Sequence, residues 1–68
     1  MIAIRISYRY DTLKAKDDAT RRINVRTQTE MREIVRILQS SYLIEKSSIK
    51  AEQVETTGAL ETVTDLKL

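Results

Sequence analysis

Residues 2–10, Ile-Ala-Ile-Arg-Ile-Ser-Tyr-Arg-Tyr, alternate between apolar and polar. Ile2, Ile4, Ile6, Tyr8 and Tyr10 fall on one parity, and Ala3, Arg5, Ser7 and Arg9 on the other. Successive side chains of a strand point to opposite faces, so the pattern predicts a strand with one buried and one wet side. Residues 11–18, Asp-Thr-Leu-Lys-Ala-Lys-Asp-Asp, are polar and patternless and read as a hairpin loop, long for its kind. Alternation returns over residues 21–27. Ile23 and Val25 share one face and Arg22, Asn24 and Arg26 the other, which predicts the return strand.

Thr27 and Glu30 then form an S/T-x-x-E pair, the signature of a capping box at a helix start. Glu30 and Glu33 suit the positive end of the helix dipole. Met31, Ile34, Val35, Leu38 and Tyr42 follow at helical spacing and predict a core-facing stripe on a helix from about residue 28 to the low forties. Ile37 and Ile44 lie on a neighbouring ridge. They either widen that stripe or face a partner chain. In the last third, Ser47-Ser48 would suit the start of a second helix, but Val54, Thr56, Thr57, Thr62, Val63 and Thr64 are strand formers. Gly58 stands between two such runs, and Leu60, Thr62, Thr64, Leu66 and Leu68 share a parity. A second hairpin, about 49–56 and 59–67, is the expectation. The order is ββαββ: one α+β domain over 1–68, a small antiparallel sheet of two hairpins with one helix packed on one face.

Composition narrows what such a domain does. A chain of 68 residues has a thin core, and with no Cys it has no disulfide to reinforce it. With no His as well, a structural zinc site is not expected, and no calcium-loop spacing is present. Oligomerisation is the remaining remedy, so a homodimer or a subunit of a larger assembly is expected. No apolar run reaches the length of a membrane span, and Arg5 interrupts the start of the chain where a signal peptide would be apolar. A cytoplasmic protein is the expectation.

Catalytic constellations are absent from the pattern. Nucleophilic triads pair Ser or Cys with a base, and neither His nor Cys is present. Ser47 and Lys50 match Ser-x-x-Lys by spacing alone. A single glycine cannot build a phosphate-cradling loop. Neither catalytic nor cofactor-binding nor metal-ligating residues are assigned, and the chain is expected not to be an enzyme.

Charge adds one constellation. All seven arginines lie within the first 36 residues, which carry a net +4, whereas residues 37–68 carry −2. With both apolar parities turned inward, the outer face of the first hairpin gathers Arg5, Arg9, Arg22, Asn24 and Arg26. Neighbouring guanidinium groups repel at cross-strand distances, so a counter-charge is required. Glu52, Glu55, Glu61 and Asp65 of the second hairpin supply it in the favoured reading, a protein-interaction domain whose contact surfaces are the ridge of Ile37 and Ile44 and whichever sheet edge is left open. A nucleic acid supplies it in the alternative, since Arg binds phosphate in a planar, bidentate way. Acids interleaved with the arginines favour the first reading and a bare basic face the second. Arg22-Ile23-Asn24-Val25-Arg26 followed by a helix also resembles the start of a ribbon-helix-helix DNA-binding protein. That resemblance covers the second strand and the helix. It implies a dimer that pairs one strand from each chain and inserts Arg22, Asn24 and Arg26 into the major groove. It also implies a second helix where this chain has its Thr-rich segment.

Overall fold

The computed structural model describes residues 2–67; Leu68, grouped above with the last strand, lies outside them. The α+β architecture is the expected one. Strand β1 spans Ile2–Arg9, β2 Thr20–Val25, β3 Lys50–Thr57 and β4 Leu60–Leu66, and helix α2 spans Gln28–Ser40. The strands form one antiparallel sheet in the order β2-β1-β3-β4. The two hairpins are therefore joined edge to edge by β1 and β3, which pair from Ile2↔Glu55 to Ser7↔Lys50. Gly58 takes the first place of the two-residue loop between β3 and β4. Its φ of 60° is the positive value that a type II′ turn needs there.

One face of the sheet meets the helix. Ile4 and Ile6 of β1, Val25 of β2 and Ala51 of β3 are buried beneath Met31, Val35 and Leu38 of α2, with Ile44 and Ile49 completing the core. Tyr8, Tyr10, Ile23, Ile34 and Leu66 pack against its margin. The tyrosines thus belong to the core side, their rings meeting edge to face at 6.2 Å. At the start of α2 the Thr27 hydroxyl accepts from the Glu30 N–H at 3.2 Å, which is the hydroxyl half of the capping box.

Three local expectations are corrected. Residues 11–18 are not a plain loop: Thr12–Ala15 form a one-turn helix, α1. The Asp11 carboxylate accepts from the Leu13 N–H at 2.9 Å, and Lys16 ends the turn in the left-handed region. A single turn is too short to show a period, so only the cap could have marked it. Tyr42 is not on the helix stripe. The helix stops at Ser40, whose hydroxyl donates to the Ile37 carbonyl, and Ser41 is extended, as expected of residues that compete for backbone hydrogen bonds. Tyr42 is left 72% exposed, beneath the Lys14 ammonium at 4.1 Å. Ile44 is not an outer contact residue. The extended segment turns it inward to pair with Tyr10, and it is 7% exposed.

The ribbon-helix-helix reading is also overturned. The segment after α2 forms a 3₁₀ turn, Lys46–Ser48, and then two strands, so the second helix is replaced by a hairpin. β1 is an inner strand and not a free arm.

Candidate functional site

Among the described residues no helix or further strand covers the second face of the sheet, and all five residues of the proposed arginine face belong to it or to its rim. The pairing sets them in rows. Arg22 stands opposite Ser7, and Ser7 opposite Lys50. Asn24 stands opposite Arg5, Arg5 opposite Glu52, and Glu52 opposite Asp65. Ala3, Val54 and Val63 form an apolar row beyond them. Arg9 faces Thr20 at the other end.

This register splits the five candidates into two groups. Arg5, Asn24 and Arg26 line a shallow depression of about 580 Å³ together with Ala3, Val54 and Glu61. Its charge is partly cancelled, since the Arg5 guanidinium lies 3.5 Å from the Glu61 carboxylate. That pair is solvated and contributes less than about 1 kcal/mol to stability, but it fixes the role of Arg5 as a partner for the second hairpin. Glu55, expected among the compensating acids, pairs with Ile2 on the other parity and takes no part. Arg26 follows the end of β2 and is exposed in the bend before α2.

Arg9 and Arg22 belong to the other group. They line a depression of about 410 Å³ with Lys50, Ser7, Tyr8, Thr20, Ser47 and Ser48. No carboxylate lines it; Glu45 lies at its rim, accepting from the Ser47 hydroxyl at 3.2 Å. Among the described residues the ion pairs are Arg5–Glu61, Lys14–Asp11 and Arg21–Asp17, so Arg9, Arg22 and Lys50 are in none. The backbone under Arg9 is held firmly. The Ser48 hydroxyl accepts from its N–H at 3.0 Å, and its carbonyl accepts from the Glu45 N–H at 3.1 Å. Lys46, nearby in sequence, is turned away to the carbonyls of Ser41 and Ile44. Lys50, noted above only for its spacing from Ser47, is not among the residues expected on this face; the pairing of β3 with β1 brings it beside Ser7.

Arg21, next to Arg22, is on the helix side, 4.8 Å over the Tyr10 ring and 2.6 Å from Asp17. The Ala19 N–H holds the Asp17 carboxyl below the usual carboxylate range, and Arg21 lowers it further. A depressed folded-state pKa adds stability above the unfolded value and loses it as pH falls through the folded one. Arg21→Gln is expected to raise the Asp17 midpoint in a carboxyl NMR titration while leaving the Ala19 contribution. An unchanged midpoint would mean that the ion pair does not form in solution.

Among the described residues no cluster of acidic side chains is arranged to hold a metal ion, and no helix is long and apolar enough to cross a membrane. No family model, no curated protein and no solved structure matches the chain.

Proposed function

We propose that this chain is a non-enzymatic protein-interaction domain that self-associates through strand β4. The observation that carries the reading is the state of that edge. β4 pairs with β3 without a break from Leu60↔Thr57 to Leu66↔Ala51, so its other side presents a regular row of backbone groups. Natural sheets blunt such edges with charged side chains (Lys above all), Pro, bulges or short strands. Leu60–Leu66, Leu-Glu-Thr-Val-Thr-Asp-Leu, contains neither Lys nor Pro and has no bulge in its register; its two charges, Glu61 and Asp65, are both on the face away from the helix. Leu60 and Val63 are exposed along it. The opposite edge, β2, carries Arg21 and Arg22 in only six residues. Antiparallel pairing of two β4 strands about a twofold axis keeps both helices on one side and closes the exposed edge. It also adds the apolar burial that a chain of this size lacks.

The test is molar mass by light scattering between low and high micromolar concentration. The wild type is expected to dimerise, and Thr62→Lys with Thr64→Lys to remain monomeric with its circular dichroism unchanged. A monomeric wild type at every concentration would end the proposal. Ile37→Glu tests the other surface, since Ile37 is 63% exposed on α2. A dimer lost there and retained in the lysine variant would move the interface to the helix.

A further inference from the structure

We propose a second site, the acid-free corner formed by Arg9, Arg22 and Lys50 around Ser7, and assign its ligand as the phosphate backbone of a nucleic acid. The inference is independent of self-association, because the corner lies on β2, β1 and the start of β3, away from β4.

The spacing of the cations suits an extended polyanion. Arg22 and Lys50 flank Ser7 on the two neighbouring strands. Strands lie about 4.8 Å apart, so the two Cα atoms stand roughly 10 Å from each other. Arg9 is two residues along β1 from Ser7, about 7 Å away. Their long side chains span this distance, so the corner presents a broad row of charge, which a chain of phosphates crossing the sheet face matches. The hydroxyls of Ser7 and Thr20 line the same surface and add neutral donors of the kind that contact phosphate oxygens. Among the described residues no cation of this depression is in an ion pair, whereas Arg5, a few ångströms along β1, is met by Glu61.

The same geometry limits what is read. Bases are held by aromatic stacking or by side chains reaching into a groove. Tyr8 borders the depression but shares the parity of Ile4 and Ile6 and packs with Tyr10 against the core, so among the described residues no aromatic ring is placed for stacking on this face. Binding is therefore expected to be independent of sequence and carried by charge, which makes it steeply dependent on salt. Two to three phosphates neutralised give a slope of log K against log salt of about −2 to −3.

Fluorescence anisotropy with a labelled 20-base-pair duplex of mixed sequence tests the assignment, titrated from low to physiological salt. The expected result is binding at low salt with that slope. Arg22→Glu together with Lys50→Glu should weaken it at least about tenfold, and each reversal should lower the slope by about 1. Both side chains are exposed, and Arg22→Gln with Lys50→Gln provides a milder pair should the reversals disturb folding. Arg32→Glu with Arg36→Glu, on α2, is the control for net charge and should change affinity less than the corner variant. Three results would overturn the proposal: no binding at low salt, equal loss in the control and corner variants, or displacement of the duplex by stoichiometric inorganic phosphate. The last would assign the corner to a single phosphate group.

Discussion

Ile6→Ala is expected to cost about 3–5 kcal/mol and to leave much of the chain unfolded at 25 °C. Ile6 is fully buried, at 0% exposure, in the inner strand of the sheet. It stands opposite Ile23 on one side and Ala51 on the other, beneath the helix. Ala51 is already small, so it cannot reach into the space left by the three lost carbons. Cavities that cannot collapse are the costly ones. A chain of this length has a total stability of roughly 3–10 kcal/mol, so one residue approaches the whole margin. Ile6→Val removes one methylene and should cost about 1 kcal/mol. Urea unfolding followed by circular dichroism reads both. A midpoint lowered at constant slope is the expected form, whereas an Ile6→Ala midpoint within error of the wild type would mean that the sheet does not depend on this packing.

Ile44→Glu and Ile37→Glu should differ by at least about 3 kcal/mol in stability, although the two isoleucines lie one heptad apart. Ile44 is 7% exposed, in contact with the core and bridged to Tyr10; Ile37 is 63% exposed. A carboxylate at position 44 would be buried without a partner, and its ionised form could not be accommodated there. At position 37 it reaches water directly and should change monomer stability by no more than about 0.5 kcal/mol. Thermal or urea melts of the two variants at low concentration make the comparison without interference from association. Equal losses would mean that residues 41–45 do not follow the path described.

The contrast between these two residues shows where the sequence was legible. Alternation at Ile2–Tyr10 and Arg22–Arg26, helical spacing at Met31–Leu38, and Gly58 between Thr-rich runs each report a local geometry, and local geometry followed them. The one glycine in the last third outweighed Ser47-Ser48, because β-branched residues dominate both flanks. Ile44 was misplaced because helical spacing was extended past Ser40, where the chain had already left the helix. The candidate site was half legible. Arg9 and Arg22 could be assigned to the outer face by parity alone. The separation of Arg5 from them, and the arrival of Lys50, depend on which strand lies beside β1. No residue encodes that choice locally; it follows from burying both hairpins under a single helix.

The two surfaces can act together. If β4 pairs as proposed, both basic corners would lie on the same uncovered face of one continuous sheet, at its two ends. A long duplex lying across that face would meet both, and the second contact would then be intramolecular, with the gain in apparent affinity that linkage brings.

The position of β1 also governs how the molecule comes into being. Its first partner, β2, follows closely in the chain, and that hairpin with α2 can assemble from neighbours. Its second partner, β3, is drawn from the last third. Pairings of such long range slow folding, because the intervening chain must be ordered before they reward it. During synthesis the early hairpin therefore waits with one flank of β1 bare until residues 50–57 have been made. Over that interval β1 is an apolar strand with an open edge, the form most exposed to pairing with the wrong chain.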